Sequence, residues 1–392
     1  MANRFIRNAV AAAAMLAGAT ALAHAQQPLK IGFMNTFTGA VGVPGEQQYN
    51  GFMLAIEERG GKLGGVPVQI IKEDDQFKPE LATQIVQKLI ERDQVPIIAG
   101  ITGSNVMMAV AKPITDKGVF LISTNSGPSP LAGAACSPNF FSTSWQNDNI
   151  AEVVGQYATD KGYKKVVLIT ANFQGGKDLL EGFKRFYTGE VVDEIYTPLT
   201  QLDFSSELTQ VASQNPDAVY AFFPGGLGVS FVRQYQLAGL LKATPLLSSG
   251  ILELPMLEAL KDSALGAFGG HFWGPDMDNE ANKKFVKDYE EKYGTIPSTW
   301  AAQGYDGALL LDSAIAKVNG NVADKDAFRA ALKEADFDSV RGDFSFNTNH
   351  FPIQDFSMYE VVKDEKGRYT VRTEATPMKA HKDAYYQDCP LN

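Results

Sequence analysis

Short apolar segments alternate along the chain with longer segments in which apolar residues recur at helical spacing. After Pro79, for example, Leu81, Ile85 and Leu89 form one apolar stripe, and proline is favoured in the first turn of a helix. The strands predicted in this way cover residues 29–34, 66–70, 95–99, 118–122, 164–170, 191–196, 218–223 and 244–247. The predicted helices include residues 47–59, 175–187, 205–214 and 229–240, and two more that begin at 79 and 103. Strands that alternate with helices are typical of parallel sheets, so the predicted fold class is α/β.

The alternation runs along the chain twice, which predicts two similar lobes, each an open, mostly parallel sheet with helices on both faces. Beyond Trp273 the chain is more polar, and helices are predicted at 279–293, 299–318 and 324–334. Strands are then predicted near 342–347, 357–363 and 369–373. Helices followed by a hairpin do not suggest a third domain, so this part is expected to pack onto the two lobes.

The N-terminus has the features of a secretory signal peptide. Arg4 and Arg7 precede an apolar run at residues 10–22, which ends in Ala23-His24-Ala25. The run is shorter than the roughly 20 residues that a membrane-spanning helix needs. Cleavage is therefore predicted after residue 25. The protein is expected in the periplasm without a lipid anchor, since no cysteine lies near the cut.

Composition narrows the classes of function. The 392 residues carry a formal net charge of −10, which argues against a nucleic-acid partner because phosphate binding needs a basic face. Two cysteines and four histidines leave little material for a metal site, so neither a metal nor a cofactor is expected. Thiols of exported proteins can oxidise, and a single disulfide between Cys136 and Cys389 is predicted.

Candidate binding residues lie in loops that follow predicted strands, where ligands of open α/β sheets bind. In the first lobe these loops are residues 36–45, 100–105 and 123–127, which are rich in small and polar residues. The second of them precedes a helix, whose unpaired N–H groups suit a carboxylate. In the second lobe the corresponding loops are residues 172–176, 223–226 and 248–250, which are more apolar and aromatic. A polar wall that faces an apolar wall suits a small amphiphilic carboxylate.

Enzyme motifs are incomplete in this chain. Gly226 and Gly228 begin a dinucleotide-binding pattern, but Phe231 stands at the third glycine position. Gly176-Lys177 resembles the end of a P-loop, yet Asp178 replaces the serine or threonine that should follow. We therefore expect a binding protein and not an enzyme.

Five segments, in their order and spacing, resemble the extracytoplasmic solute-binding proteins of ABC transporters. The resemblance is to the branched-chain amino acid (Leu/Ile/Val-binding) family with the type I periplasmic binding fold, and it extends over essentially the whole mature chain. The segments are IGFMNTFTGAVGVPGEQQYNGFMLAIEERGGKLGG, AGITGSNVMMAVAKPITDKGVFLISTNSGPSP, KKVVLITANFQGGKDLLEGFK, PDAVYAFFPGGLGVSFVRQYQLAGL and YEEKYGTIPSTWAAQGYDGALLL.

The resemblance implies that the chain crosses between the lobes three times. Lobe 1 is then expected at 28–143 plus 275–346, and lobe 2 at 147–272 plus 350–375. The tail, 376–392, is expected to return to lobe 1, because Cys389 would meet Cys136. The three crossing segments would form a hinge about which the lobes close on a ligand.

The resemblance also implies the site residues. Those expected to contact the ligand are Val43, Pro44, Ser104, Asn105, Asn125, Ser126, Gly127, Phe173, Gln174, Pro224, Gly225 and Gly250. Amino-acid-binding members place an acid in the loop at Gly250 to pair with the ligand ammonium, whereas this chain has Ser249-Gly250-Ile251. The expected ligand is therefore an aromatic acid of the benzoate or phenylpropenoate type. A branched-chain or related amino acid is the alternative, because Glu253 could swing in.

The implied partner is the membrane permease of an ABC transporter, to which a monomeric binding protein would deliver its ligand. A ligand-sensing protein that presents its closed form to a receptor would use the same closed state, so that alternative stays open.

Overall fold

The computed structural model describes residues 27–391, so the predicted signal peptide lies outside the described residues. The described chain contains two large β-sheets, each covered by helices. The six-stranded sheet with its helices is termed lobe 1, and the eight-stranded sheet with its helices is termed lobe 2. Both sheets are mostly parallel, as the alternation of strands and helices predicts.

The first part of the chain builds the sheet of lobe 1, in the order β2-β3-β1-β4-β5-β6. Its strands are β1 (Leu29–Asn35), β2 (Lys62–Leu63), β3 (Val66–Asp74), β4 (Ile97–Gly100), β5 (Phe120–Ser123) and β6 (Phe140–Ser142). Its helices are α1 (Gly42–Glu58), α2 (Pro79–Gln87), α3 (Ser104–Asp116) and α4 (Ser129–Ala132). All pairs are parallel except β2 with β3.

The next part of the chain builds most of lobe 2. Its strands in this part are β7 (Lys165–Ala171), β8 (Glu190–Thr197), β9 (Ala218–Phe222), β10 (Leu246–Ser249) and β11 (Phe268–His271). Its helices are α5 (Asn149–Asp160), α6 (Gln174–Phe186), α7 (Ser205–Gln214), α8 (Gly226–Leu237), α9 (Leu240–Ala243) and α10 (Leu254–Leu260).

The last part of the described chain contributes to both lobes. Its elements are α11 (Glu280–Tyr293), α12 (Thr299–Lys317), α13 (Lys325–Glu334), β12 (Ser345–Phe346), β13 (Pro352–Lys363) and β14 (Tyr369–His381). The three helices pack on lobe 1, and α12 crosses α1 closely because Gly51 and Gly304 stand at the crossing. A Cβ atom at Gly51 would lie 1.9 Å from the carbonyl oxygen of Ala301. Strand β13 instead pairs with β11 in lobe 2. The sheet of lobe 2 has the order β12-β13-β11-β10-β9-β7-β8, and β14, its eighth strand, also pairs with β13.

Several elements differ from the sequence prediction. Helix α1 begins at Gly42 and not near Gln47, because Pro44 fits the first turn, where no N–H partner is needed. Strand β11 was not predicted, because two of its four residues, FGGH, are glycines and show no apolar pattern. It nevertheless lies buried between β10 and β13. Strand β14 continues to His381 and not only to residue 373, because it keeps pairing with β13 past register shifts.

The C-terminal tail contacts both lobes. Cys136 and Cys389 form a disulfide, as predicted, which fastens the tail to lobe 1. The hydroxyl of Tyr385 donates a hydrogen bond of 2.8 Å to Asp148, the residue that precedes α5 of lobe 2. Among the described residues, none of the helices combines the length and apolar character needed to cross a bilayer.

Candidate functional site

A cleft opens between the lobes where the carboxyl ends of both sheets face each other. It holds about 740 Å³ of space between protein atoms, its mouth included, and the centre of a water molecule can reach about 70 Å³ of it. The residues that line it are Pro44, Phe77, Thr102, Gly103, Ser104, Asn125, Trp145, Asn147, Ile150, Phe173, Gly175, Leu179, Phe222, Pro224, Gly225, Gly250, Glu253, Gly270, His271, Phe272, Thr299 and Trp300. This position matches the expectation for ligands of open α/β sheets.

The lobe 1 wall is polar because helix α3 begins there. Ser104 is the first residue of α3, and its hydroxyl lies 2.9 Å from that of Ser126 and accepts a 3.0 Å bond from Asn147. Asn125 is held by a 2.8 Å bond from its Nδ2 atom to the carbonyl oxygen of Thr102. The unpaired N–H groups at the start of α3 add a partial positive charge. This wall can therefore bind a carboxylate through neutral donors.

Aromatic rings line much of the remaining cleft. The ring of Phe173 lies 6.3 Å from that of Phe77 and 6.0 Å from that of Phe222, measured between centroids. On another side, Trp145 and Phe272 are 5.3 Å apart. Flat walls of this kind favour a flat apolar ligand, since ring contacts add to the free energy of burial. The indole Nε1 of Trp145 is buried and has no hydrogen-bond partner in the described chain, so it is a free donor.

Two titratable side chains line the lobe 2 side. Glu253 immediately precedes α10, and burial raises the pKa of its carboxyl group to about 7. Its carboxyl group accepts a long bond of 3.4 Å from the backbone N–H of Thr299. His271 ends β11, and burial lowers the pKa of its imidazole to about 4, so the ring is neutral near pH 7. Among the described lining residues there is no lysine or arginine.

Contacts between the lobes close part of the cleft. The backbone N–H of Gly226 donates a 2.7 Å hydrogen bond to the carbonyl oxygen of Ala40. Gly225 has φ of +54°, and a Cβ atom there would lie 2.5 Å from the same oxygen. Glycine is therefore required at this position for both its conformation and the close approach. The structure thus represents a closed arrangement of the lobes.

The structure brings seven of the twelve predicted site residues to the cleft. These are Pro44, Ser104, Asn125, Phe173, Pro224, Gly225 and Gly250. The other five, Val43, Asn105, Ser126, Gly127 and Gln174, lie outside its lining. Ser126 supports Ser104 from behind, and a Cβ atom at Gly127 would lie 2.0 Å from the carbonyl oxygen of Trp145. The role of all twelve residues in ligand binding stays a prediction.

Among the lining residues that sequence analysis missed, two groups come from distant parts of the chain. The first lies on the crossing segments, where Trp145, Asn147 and Phe272 stand between the lobes. These residues could have been found from the sequence, because large aromatic and amide side chains occupy the segments expected to form the hinge. The second group, Thr299 and Trp300, begins helix α12, which joins lobe 1 from a distant part of the chain. No local pattern distinguishes these two from ordinary helix-start residues.

Comparison with known proteins identifies the group that the chain resembles. The family model described as periplasmic binding protein matches residues 28–367. A Leu/Ile/Val-binding protein homolog from Brucella melitensis is 28% identical over 376 residues, which cover 92% of this chain and 94% of that protein.

Solved structures of ABC transporter solute-binding proteins are similar as well. One from R. palustris, in complex with benzoate, is 32% identical, covers 93% of this chain and 99% of its own, and has a TM-score of 0.87. Another, from Rhodopseudomonas palustris BisB5 in complex with 3,4-dihydroxybenzoic acid, is 30% identical. It covers 91% of this chain and 99% of its own, with a TM-score of 0.85.

Proposed function

Because the chain belongs to the periplasmic binding protein family, we propose that it captures an aromatic carboxylate between its lobes and delivers it to an ABC transporter permease. The observation that carries this proposal is the cleft itself, which has a helix N-terminus on one wall and aromatic rings on the others. The benzoate and dihydroxybenzoate complexes of two similar proteins support the ligand class.

The carboxylate would bind at the start of α3. There the hydroxyl of Ser104 and the free N–H groups of the first helical turn supply neutral donors. The free indole N–H of Trp145 is a further donor in the same cleft. Neutral donors suffice because charge-assisted hydrogen bonds to a carboxylate are stronger than bonds between neutral groups. The ring of the ligand would then lie against Phe173 and its aromatic neighbours.

A branched-chain or related amino acid remains the second candidate, since Glu253 lines the cleft and could pair with an ammonium group. In this structure, however, its carboxyl group is buried, and burial raises its pKa to about 7, which disfavours the charged form that an ammonium group needs. The resemblance to Leu/Ile/Val-binding relatives keeps this candidate worth testing.

The cellular setting follows from the same proposal. Signal peptide 1–25 would direct the chain to the periplasm, where it would act as a monomer without catalytic activity. Hinge closure around the ligand would create the shape that the permease recognises. The alternative partner, a ligand-sensing receptor, would recognise the same closed form of this protein.

Isothermal titration calorimetry of the mature chain with benzoate and leucine separates the two candidates. Benzoate is expected to bind and to alter the tryptophan fluorescence, because Trp145 and Trp300 line the cleft.

Ser104→Ala is expected to weaken benzoate binding about tenfold, in line with the loss of one hydrogen bond to a charged group. The matched control, Ser126→Ala, breaks the same Ser104–Ser126 contact but leaves the cleft hydroxyl in place, so its loss should be smaller. Binding of leucine without benzoate would refute the aromatic assignment.

A further inference from the structure

The imidazole of His271 carries an unused hydrogen-bond acceptor. Its Nδ1 atom lies 2.5 Å from the carbonyl oxygen of Trp273, and a carbonyl can only accept. The proton of the neutral ring is therefore on Nδ1, and Nε2 holds a bare lone pair. Nε2 is buried and has no partner in the described chain. A buried acceptor without a donor is costly, so its presence at a binding cleft points to a donor on the ligand.

His271 lies across the cleft from the polar lobe 1 wall, where the ligand carboxylate would bind. The residue ends β11 in lobe 2, next to the loop that follows β10, whereas Ser104 begins α3 in lobe 1. Both line the same cleft. A flat acid whose carboxylate binds at α3 therefore directs the far edge of its ring toward lobe 2.

We propose that His271 determines specificity by accepting a hydrogen bond from a ring hydroxyl, so that the protein prefers hydroxy-substituted aromatic acids over unsubstituted ones. This inference rests on the proposed function. On an aromatic acid this donor is a phenol, and Glu253 lines the same cleft beside His271. A ligand with a second carboxylate at this end would place that group against the lone pair of Nε2 and the carboxyl group of Glu253. Such a ligand is therefore expected to bind weakly.

Glu253 can complete the recognition of the same hydroxyl. A phenol both donates and accepts, and a protonated carboxyl group can donate to its oxygen. Glu253 and His271 also line one smaller adjoining cavity together with Tyr359, whose ring centroid is 4.9 Å from that of His271. The acceptor and the acid are thus held on one side of the cleft by packing from lobe 2.

The test compares the dissociation constants of benzoate, 4-hydroxybenzoate, 3-hydroxybenzoate and 4-methoxybenzoate by calorimetry. The wild-type chain is expected to bind at least one hydroxybenzoate about tenfold more tightly than benzoate, and more tightly than the methoxy compound, which lacks the donor. His271→Phe keeps a ring of similar shape but removes the acceptor. It is expected to bring the ratio of affinities for hydroxybenzoate and benzoate close to one.

The matched control is His350→Phe. His350 is also a buried histidine with Nδ1 near a carbonyl oxygen, that of Phe140, but it stacks on Phe141 away from the cleft lining. Its substitution is expected to leave the ratio unchanged.

If His271→Phe does not fold, two tests of this inference remain. One is the affinity ratio of His271→Gln, which keeps an acceptor. The other is the comparison of 4-hydroxybenzoate with 4-methoxybenzoate in the wild-type chain. Equal affinities for benzoate and both hydroxybenzoates would overturn this inference alone. Failure of every aromatic acid to bind would instead overturn the proposed function and this inference with it.

Discussion

Ser129 of lobe 1 donates two hydrogen bonds to the carboxylate of Asp178 of lobe 2, one from its hydroxyl at 2.7 Å and one from its backbone N–H at 3.1 Å. Asp178 lies on α6 and is 2% exposed. The carboxylate of Asp178 also accepts a 2.8 Å bond from Asn147, whose amide donates to Ser104 on the polar wall of the cleft. One buried acid therefore connects closure of the lobes with the polar wall of the cleft.

Asp178→Asn should loosen the closed form. Oδ2 of Asp178 accepts from the backbone N–H of Ser129 and from Asn147, whereas Oδ1 accepts from the hydroxyl of Ser129 and from Gln174. An asparagine has one acceptor oxygen where aspartate has two, so the donors to one of these atoms lose their acceptor. We expect ligand affinity to fall about tenfold, because breaking a buried hydrogen bond to a charged group costs on the order of 1–3 kcal/mol. Small-angle scattering with saturating ligand should show a larger radius of gyration than for the wild-type chain. The control is Asp278→Asn, an exposed acid paired with Lys283. Unchanged affinity and radius would show that Asp178 does not stabilise closure.

Loss of the Cys136–Cys389 disulfide should destabilise the whole chain. The bridge joins residues 253 positions apart, so it removes much conformational freedom from the unfolded state. We expect the Cys136→Ser, Cys389→Ser double variant to lose about 3–5 kcal/mol of unfolding free energy in urea titrations.

A reductant supplies the control for that experiment. It should lower the stability of the wild-type chain to that of the double variant and should leave the double variant unchanged. If the reduced wild-type chain keeps its full stability, the disulfide contributes little, and the contact of Tyr385 with Asp148 would be sufficient to hold the tail.

Because the carboxyl group of Glu253 is buried, the difference in stability between the wild-type chain and Glu253→Gln is expected to depend on pH. Burial raises its pKa from 4.5 to about 7, so between these values the folded chain binds more protons at this site than the unfolded chain. By linkage, the contribution of Glu253 to stability falls as pH rises through this window. Glu253→Gln removes that dependence. The unfolding free energy of the variant, relative to wild type, should increase by about 3 kcal/mol from pH 4.5 to pH 7.5.

Urea unfolding at several pH values measures this difference, with Glu258→Gln as the control on the exposed face of the same helix. The control should show no change of relative stability with pH. A flat difference for Glu253→Gln would mean that the carboxyl group ionises in the folded chain as readily as in the unfolded chain. That result would favour the amino acid candidate, because such a carboxylate could bind an ammonium group.

The order of elements was open to prediction because strand and helix periodicities are local properties of a sequence. The helix at 205–214 was predicted with its observed bounds, and β1, β7 and β9 differ from prediction by single residues. Strand β11 was not predicted, since Gly269 and Gly270 carry no side chain to reveal a buried face. Its place in the sheet depends on pairing with β10 and β13, which are distant in sequence.

The same division holds for the site. From the sequence alone, the strand-end loops at Ser104, Asn125 and Phe173 could be assigned to the cleft, because carboxyl ends of parallel strands share one edge of a sheet. Only the tertiary structure placed Glu253 and His271 on its lining and left Gln174 outside it. The direction of a side chain at the end of a strand depends on what packs against it, and those neighbours come from distant segments. The sequence by itself therefore determined the two sheets and the polar wall at the start of α3, and packing decided which groups line the cleft.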